Sequence, residues 1–475
     1  MFTLNDILQG NEDKIYLHSS VTPDPYKVFP SAQHDSRQVN RGDLFIAIKG
    51  SQVDGHRFIP EAAKAGAKAV LCNQPSNDVP PDFLQLIVPD VIKALHSTAR
   101  VRTQRQQNTL LIGITGSNGK TSTKDAAAAI LHRLAPTLKT FASYNNEIGY
   151  PLTLLRLEPE HRFAVLEMGA QWVGELTWLC ETIARPNWSI ITNIGAAHLE
   201  YFGSQERVII AKSELVQALP SEGIAILNYD DIHVRNMGSK TRAQKLYYGL
   251  SQQADVRGSD IQGEALLGLH FTLRYAGQHK RVHLHLPGVH GVMIALAAAS
   301  AGCAAHMNFD EICDALESLQ PAKGRGEIKP GPNGSILIDD TYNANRQSIV
   351  AMIATIRTTK LSRSGKRWAV LGDIFELGQY AREEHVVCGR ELVGTIDYLI
   401  AIGDQARFFI EGAIQAGMSE KNMQFFHADV GNARDMESAK QDAANVLKRE
   451  VHSEDLVLIK GSRWMRMETM LEMLR

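Results

Sequence analysis

The sequence predicts an α/β protein with three domains, of which the second and third are built on parallel sheets. Residues 110–130, LLIGITGSNGKTSTKDAAAAI, pass from an apolar run through glycines into an alanine-rich segment, the order of strand, loop and helix. Beyond Pro321, apolar runs alternate with segments of helical periodicity, which predicts a doubly wound parallel sheet. A length of 475 residues fits about three domains of roughly 150 residues each.

Composition narrows the class of protein. Hydrophobic residues make up 44% and charged residues 21% of the chain, as in ordinary globular proteins. A net charge of −2 gives no sign of the basic surface that nucleic-acid binding needs. The N-terminus lacks a signal-peptide pattern, and the longest apolar stretch, 292–305, is too short to span a bilayer. The five cysteines are scattered, so neither a zinc site nor a disulfide framework is indicated. We therefore expect a cytoplasmic protein without stable membrane insertion.

The first hundred residues predict a compact α/β module. LFIAI (44–48), KAVLC (68–72) and FLQLIV (83–88) predict buried strands, and residues 57–66 predict a helix ended by glycine. The polar stretch 100–108 predicts a linker to the next domain. Ser36, Arg37 and Lys49 are polar groups at strand edges, and taken alone they are best interpreted as solvated surface residues.

The glycine loop after the strand at 110–115 predicts a phosphate-binding site. Free backbone N–H groups and the helix dipole attract anions at a helix start. A lysine at 120 would neutralise the outer phosphates, and the hydroxyl of Thr121 would face Mg²⁺. Ile114 stands where the standard G-x-x-x-x-G-K-[ST] spacing needs glycine, and an ordinary helix start is the alternative. The residues expected around the phosphates are Gly116, Ser117, Asn118, Gly119, Lys120, Thr121 and Ser122.

Two strands of the central segment end in polar residues: FAVLE ends at Glu167, and WSIITN ends at Asn193. The carboxyl ends of parallel strands face the ligand crevice, so Glu167 is predicted to be a Mg²⁺ ligand. A strand end in solvent is the alternative. Taken alone, His198 would be an ordinary core or surface histidine, and Lys212 a surface lysine on an amphipathic helix. Residues 224–286 alternate and predict an antiparallel extension of the sheet, followed by a helix at 292–301.

The last third predicts a second ligand-binding domain. Its strands are expected at 335–340, 367–373, 398–404, 423–428 and 455–461. Several end in charged residues, among them Asp340, Asp373 and Lys460. No G-x-G-x-x-G motif opens a helix here, which disfavours nicotinamide binding.

Taken together, the motifs TGSNGKT, NNEIGYPLTLL, LEMGA, NIGAAHLEYFG, AKSEL, DDTYNAN and VLGDIFELG resemble the Mur ligases of peptidoglycan synthesis. The resemblance covers nearly the whole chain. The phosphate loop is shared by all Mur ligases and by folylpolyglutamate synthases. DDTYNAN and GDIFELG are most similar to the members that join D-alanyl-D-alanine to UDP-N-acetylmuramoyl-tripeptide.

The resemblance implies a division into three domains. Residues 1–105 would bind the UDP-substrate, and 106–318 would be the ATPase domain. Residues 319–475 would form a Rossmann-like domain that binds the dipeptide and part of ATP.

The resemblance also implies roles for single residues. Lys212 matches a lysine that family members carry as a carbamate formed with CO₂, a ligand for a second Mg²⁺, and His198 matches a histidine associated with that metal. Arg325 matches an arginine that reaches ATP from the C-terminal domain, so the implied catalytic residues are Lys120, His198, Lys212 and Arg325. Further implied contacts are His290, Asp340 and Asn343 to ATP, and Ser36, Arg37, Lys49, Asn145 and Asn146 to the UDP-substrate.

The chain departs from the family pattern at several positions. Gly291 and Ile294 stand where the family pattern has two asparagines near the adenine. Arg346 stands where a proline usually follows DDTYNAN, and Trp464 interrupts the usual KGSRS.

The implied reaction is ATP-dependent amide ligation through an acyl phosphate, with two Mg²⁺ ions and a monomeric enzyme. Asp373, Glu376 and Lys460 are expected to meet the charged ends of the dipeptide, while helix capping is the alternative for Asp373 and Glu376. A Mur ligase that adds diaminopimelate or lysine is the nearest rival, but its DNPR-type motif is absent. A P-loop ATPase switch is the rival of another class, and a dehydrogenase comes third.

Overall fold

A computed structural model describes residues 1–12, 14–50, 53–195, 199–266 and 268–475. Over these residues the chain is a mixed α/β protein, and the predicted fold class is confirmed. No helix in these ranges is both long enough and apolar enough to cross a bilayer. All five cysteines are buried and free, as expected from their scattered positions.

The first part of the chain is a small α/β unit. Its elements are β1 (Phe2–Thr3), α1 (Leu4–Gly10), β2 (Tyr16–His18), β3 (Val28–Phe29), β4 (Ala32–Gln33), β5 (Leu44–Ile46), α2 (Ile59–Ala65), β6 (Ala69–Cys72), β7 (Leu84–Ile87) and α3 (Val91–Arg105). The sheet order is β2-β7-β6-β5-β4, and β2 is antiparallel to β7 while the other pairs are parallel. The predicted helix at 57–66 begins as a 3₁₀ turn and ends at Gly66, whose φ of 102° suits glycine.

The predicted linker at 100–108 is wrong for its first six residues, because these are the last turns of α3. The guanidinium of Arg100 donates to the carbonyl of Thr182 (2.7 Å), and that of Arg102 donates to the carbonyl of Leu157 (3.1 Å). Polar composition gave the wrong prediction here, because an arginine can pack its aliphatic stem against the protein while its guanidinium group donates to carbonyl oxygens.

The central part carries the longest sheet. Its elements are β8 (Leu110–Thr115), α4 (Lys120–Leu134), β9 (Thr137–Lys139), α5 (Gly149–Leu154), β10 (Phe163–Glu167), α6 (Glu175–Thr182), β11 (Trp188–Ile191), α7 (Leu199–Phe202), α8 (Gln205–Gln217), β12 (Ile224–Asn228), α9 (Ile232–Met237), β13 (Gln244–Gly249), β14 (Val256–Glu264), β15 (Gly268–Tyr275), β16 (Gln278–Leu284), α10 (Gly288–Ala304) and α11 (Phe309–Glu317). The strand order is β16-β15-β14-β13-β12-β11-β8-β10-β9.

Parallel pairing brings the functional strand ends to one edge of this sheet. β8 lies between β10 and β11 and is parallel to both, so Thr115, Glu167 and Ile191 end their strands side by side. The antiparallel extension predicted for 224–286 is confirmed for β14, β15 and β16. It is wrong for β12 and β13, which pair in parallel with their neighbours.

The last part is a second parallel sheet with an antiparallel edge. Its elements are β17 (Glu327–Pro330), β18 (Ile336–Asp340), α12 (Arg346–Thr358), β19 (Arg367–Gly372), α13 (Ala381–Leu392), β20 (Tyr398–Gly403), α14 (Arg407–Gln415), β21 (Met423–His427), α15 (Ala433–Glu450), β22 (Leu456–Lys460) and α16 (Thr469–Met473). The order is β17-β18-β22-β19-β20-β21, and only the edge pair β17–β18 among these described strands is antiparallel. The strands β18 to β22 confirm the positions expected from the sequence.

Candidate active site

The phosphate loop, residues 116–119, joins β8 to α4 and needs glycine at two points. Gly116 has a φ of 144°, and a Cβ there would lie 2.0 Å from the Oγ1 of Thr192. Gly119 has a φ of 77° immediately before the first residue of α4. Both positions disfavour residues with a side chain, and the loop leads into the start of α4, where free backbone N–H groups attract anions.

Hydrogen bonds to the end of β11 hold this loop in place. The N–H groups of Ser117 and Asn118 donate to the carbonyl and the Oδ1 of Asn193, both at 2.9 Å. The hydroxyl of Thr192 donates to the carbonyl of Asn118 at 2.6 Å. The anion site is therefore preorganised by the neighbouring strand as well as by its own glycines.

Lys120 folds back over the loop. Its ammonium donates to the carbonyls of Gly116 (2.8 Å) and Ser117 (3.3 Å). Burial lowers the pKa of Lys120, while the nearby charge of Glu167 opposes that change. A bound phosphate would offer this cation stronger acceptors than two neutral carbonyls.

Glu167, at the end of β10, is 1% exposed, so the alternative of a solvated strand end does not describe it. Its Oε1 accepts a hydrogen bond from Asn145 Nδ2 (2.8 Å), and its Oε2 is buried with no partner among the described residues. A buried oxygen without a partner costs free energy unless a ligand satisfies it.

Thr121 lines the same cavity as Glu167, and a hydroxyl and a carboxylate are the kinds of oxygen donor that a hard divalent cation prefers. Within the described ranges, no three His, Cys, Asp or Glu side chains converge where a metal could sit. A cation here would therefore depend on Thr121, Glu167 and oxygens from its substrates. His198, the other expected metal ligand, lies outside the described residues.

Lys212 is not the surface lysine that its helix alone suggests, because it is 1% exposed on α8. Its ammonium lies 3.5 Å from the carbonyl of Ala170. Burial lowers the pKa of Lys212 to about 7, and the charge of Lys120 adds to that change. A buried lysine with a pKa near neutrality carries a substantial fraction of neutral, nucleophilic amine.

Two buried carboxylates near Lys212 are already engaged by backbone groups. Glu175 accepts the N–H of Gln171 (2.7 Å), and Glu214 accepts the N–H groups of Gly174 (2.6 Å) and Thr177 (3.0 Å). They fix the loop after β10 that leads past Lys212.

The C-terminal part contributes a second wall. The guanidinium carbon of Arg325 lies 4.1 Å from the centre of the Tyr342 ring, a cation–π contact. Lys460, at the end of β22, is 2% exposed and donates to Asp340 Oδ2 (2.6 Å) and to the carbonyl of Asn343 (2.9 Å). Asp340 and Lys460 are therefore paired with each other at the cavity wall.

Asp373 and Glu376 occupy different environments. Asp373 is fully buried, and its carboxylate accepts the N–H groups of Asp404 (3.0 Å) and Ala406 (2.6 Å). Burial raises its pKa, although those hydrogen bonds oppose the change. Glu376 lines the cavity and has a φ of 63°, an unusual backbone conformation for glutamate. The contacts of Asp373 favour a structural role in fixing the loop between β20 and α14, and not the capping of the helix that follows it, α13. Glu376 is placed where a ligand can reach it.

One cavity of about 1030 Å³ brings most of the predicted residues together. The predicted residues on its walls are Ser117, Asn118, Gly119, Lys120, Thr121, Ser122, Asn145, Asn146, Glu167, Lys212, His290, Arg325, Asp340, Asn343, Glu376 and Lys460. Gly116 and Asp373 do not line it.

The three N-terminal residues predicted to bind the UDP-substrate lie outside this cavity. Ser36 is buried in a 3₁₀ turn, Arg37 pairs with Asp35 (2.7 Å), and Lys49 is exposed. The hydroxyl of Tyr144 donates to Gln38 (3.2 Å) and links this turn to the loop before α5.

The part of the cavity beside α10 is largely apolar. Ile294 lines it, as do Leu286, Met293 and Met352. His290 contributes a polar ring here, and burial lowers its pKa. A nucleotide base would meet mostly apolar side chains on this side.

Sequence reasoning missed several residues that shape the site. Lys124 is buried one helical turn after Lys120, a spacing that places both on one face of α4 and could have identified it. Ser143, Tyr342 and Gln347 line the cavity, but no sequence spacing connects them. Their proximity arises only when the C-terminal part packs against the phosphate loop.

Comparison with family models covers most of the chain. Residues 31–103 match the model described as Mur ligase family, catalytic domain. Residues 114–302 match the Mur ligase middle domain, and 324–463 match the Mur ligase, glutamate ligase domain.

Individual relatives agree with these matches. The UDP-N-acetylmuramoyl-tripeptide--D-alanyl-D-alanine ligase of Bacillus subtilis (strain 168) is 33% identical over 91% of this chain and 90% of its own length. The enzyme of the same name from Escherichia coli (strain K12) is 36% identical over 78% of this chain and 81% of its own.

Solved structures show the same relationship. A crystal structure of MurF from Acinetobacter baumannii superposes with a TM-score of 0.85 and 30% identity, covering 100% of this chain and 98% of that one. MurF ligase from Thermotoga maritima, in complex with ADP, gives a TM-score of 0.76 and 26% identity over 94% of this chain and 96% of that one. This chain therefore belongs to the Mur ligase family.

Proposed function

We propose that the chain is an ATP-dependent ligase that joins D-alanyl-D-alanine to UDP-N-acetylmuramoyl-tripeptide, a step of peptidoglycan synthesis. The observation that carries the proposal is the shared cavity, in which the phosphate loop faces Arg325, Glu376 and Lys460 of the C-terminal part. The relatives that match over most of the chain carry the name of this activity.

The chemistry needs cations more than a nucleophilic side chain. The tripeptide carboxylate attacks the γ-phosphorus of ATP, the bond to the ADP oxygen breaks, and an acyl phosphate forms. The dipeptide amine then attacks the acyl carbon, and phosphate leaves as the amide forms. Negative charge develops on phosphoryl oxygens and then on a tetrahedral oxyanion.

The chain supplies several groups for these steps. Backbone N–H groups at the start of α4 and the ammonium of Lys120 would bind the phosphates, and Arg325 would approach them from the opposite wall. Contacts of His290, Asp340 and Asn343 with the nucleotide are part of the same proposal. The same proposal includes an association of His198 with the metal.

Magnesium, expected as two ions, would neutralise phosphate charge when bound. The residues that fit the first ion are Thr121 and Glu167, because one carboxylate oxygen of Glu167 is buried and has no partner in the part of the chain that the structure describes. We further propose that Lys212 reacts with CO₂ and releases a proton to give a carbamate that holds the second ion. Its burial and a pKa of about 7 support this, because only the neutral amine adds to CO₂.

The division of labour follows the three parts of the chain. Residues 1–105 would bind the UDP-substrate through Ser36, Arg37 and Lys49, with Asn145 and Asn146 nearby. Residues 106–318 would bind ATP. Residues 319–475 would bind the dipeptide, for which Glu376 and Lys460 are better placed than Asp373 because they line the cavity and Asp373 does not. We expect the enzyme to act in the cytoplasm as a monomer, without a nucleic-acid partner.

The decisive assay mixes the protein with ATP, UDP-muramoyl-tripeptide and D-alanyl-D-alanine, and measures phosphate release together with the ligated product. Phosphate release that requires both peptide substrates supports the proposal. ATP hydrolysis that ignores both substrates would instead favour a nucleotide-dependent switch. Ligation of diaminopimelate or lysine to a UDP-dipeptide would favour another activity of the same family.

A further inference from the structure

Three hydroxyl groups form a continuous contact from the phosphate loop to the C-terminal part. The Oγ1 of Thr121, in the first turn of α4, lies 3.3 Å from the Oγ of Ser143. The Oγ of Ser143 lies 2.5 Å from the hydroxyl of Tyr342, in the loop after β18. We call Thr121, Ser143 and Tyr342 the hydroxyl relay.

Buried hydrogen bonds hold the middle member in place. Lys124 is 2% exposed, and its ammonium donates to the carbonyls of Thr140 and Ala142, both at 2.9 Å. Ala142 adopts a φ of 49°, a conformation that costs free energy for a residue with a side chain. The lysine therefore holds the segment directly before Ser143 in a shape that the segment would not adopt alone.

Two arginines hold the far member. The guanidinium carbons of Arg325 and Arg463 lie 4.1 Å and 5.5 Å from the centre of the Tyr342 ring. The N–H of Tyr342 also donates to the carbonyl of Gly324 at 3.0 Å, next to Arg325 in the chain. Tyr342 thus contacts Arg325 through its ring while its hydroxyl faces the phosphate-loop side.

The order of donors follows from the chemistry of hydroxyl groups. Each hydroxyl has one proton to donate and lone pairs to accept with. If Thr121 directs a lone pair at a cation, its proton must point elsewhere, and Ser143 is the acceptor in reach. Ser143 can then donate its own proton to Tyr342, which keeps this orientation in place.

We propose that Ser143 and Tyr342 are positioning residues. They orient the hydroxyl of Thr121 toward magnesium-bound nucleotide, and they link that orientation to the placement of Arg325. The inference rests on the proposed function, since it assumes that magnesium and nucleotide bind at the phosphate loop. It adds two residues that act through Thr121 and Arg325 rather than by touching the reacting atoms.

The test measures ADP binding by calorimetry, in Mg²⁺ and in EDTA, for Tyr342→Phe, Ser143→Ala and the double variant. Tyr342→Phe removes one oxygen and keeps the ring between the arginines. Each single variant should weaken ADP binding roughly three- to tenfold in Mg²⁺, the effect of about one hydrogen bond, and leave it unchanged in EDTA. The double variant should bind ADP no more weakly than the single variant with the larger loss, because both substitutions interrupt the same relay.

Tyr380→Phe is the matched control. The hydroxyl of Tyr380 donates to the carbonyl of Gly203 at 3.4 Å, so it also joins the C-terminal and central parts, but away from the phosphate loop. Its ADP affinity should equal that of the unaltered chain. Thermal unfolding of every variant checks that the fold is retained, and Tyr342→Phe suffices if Ser143→Ala does not fold.

Several results would overturn the inference. These are equal weakening in EDTA, a comparable loss in Tyr380→Phe, additive losses in the double variant, or no loss at all. If the unaltered chain does not bind ADP, the proposed function fails and the inference fails with it. If the unaltered chain binds and every variant binds equally well, the inference alone fails.

Discussion

Substitution of the buried residue Asp373 tests whether its carboxylate has a structural role or a ligand-binding one. In Asp373→Asn, one oxygen is retained while an NH₂ group replaces the other. The backbone N–H groups of Asp404 and Ala406 then compete for a single acceptor. Losing one charge-assisted hydrogen bond and leaving one buried N–H without a partner costs roughly 2–4 kcal/mol, part of which is offset because a desolvated charge is removed.

After that offset, we expect Asp373→Asn to lower the free energy of unfolding by roughly 1–3 kcal/mol and to leave the KM for the dipeptide unchanged. Urea unfolding measures the first quantity, and steady-state kinetics with each substrate varied separately measures the second. Asp404→Asn is the control, because Asp404 directly follows the neighbouring strand β20 and its side chain is 43% exposed. The free energy of unfolding of this control variant should change by less than about 0.5 kcal/mol. A raised dipeptide KM with unchanged stability in Asp373→Asn would refute this reasoning.

Steady-state kinetics also tests the role of Glu376, which lines the cavity. Glu376→Gln keeps the shape of the side chain and removes the charge expected to meet the dipeptide ammonium. The dipeptide KM should rise roughly ten- to a hundredfold, and the KM for UDP-tripeptide should stay nearly constant. Equal shifts for both substrates would contradict the proposed division between domains.

Three further predictions concern Lys120, Lys212 and His385. Lys120→Ala should lower turnover by at least about 10²-fold without unfolding the protein, because a preorganised charge is lost; near-normal turnover would remove the assigned role. Lys212→Ala should nearly abolish ligation, and added short carboxylic acids should partly restore it; full activity without them would exclude the carbamate. His385 accepts the N–H of Ile374 at Nε2 (3.0 Å), and burial lowers its pKa from 6.5 to about 4. The unfolded chain therefore binds the extra proton between pH 6.5 and 4, so this contribution to stability is complete above pH 6.5 and is lost as pH falls. In urea unfolding, the stability difference between the unaltered chain and His385→Gln should narrow by about 2–3 kcal/mol from pH 7 to 4.5, and a constant difference would contradict the assignment.

The sequence by itself determined the fold class, the phosphate loop and the family. These features are local: a strand, a glycine loop and a helix start occupy consecutive residues, and their chemistry depends on spacing along the chain. The position of Glu167 on the cavity wall was predictable for a related reason, because the carboxyl ends of parallel strands meet at one edge of the sheet; its role as a magnesium ligand stays a prediction. The linker at 100–108 failed because polar composition does not distinguish solvated arginines from ones whose guanidinium groups bond to carbonyls.

Only the tertiary structure determined which charged side chains are buried and which of them line the cavity. Lys212 looks like a surface lysine on an amphipathic helix, and its burial depends on neighbouring elements that the helix pattern does not reveal. Asp373 and Glu376 are three residues apart, yet one is enclosed by the backbone at 404–406 and the other lines the cavity. Thr121 and Ser143 meet within the central part, and Tyr342 reaches them only through packing of the C-terminal part on it. Hydrogen bonds act over ångströms in space, and sequence separation does not limit them.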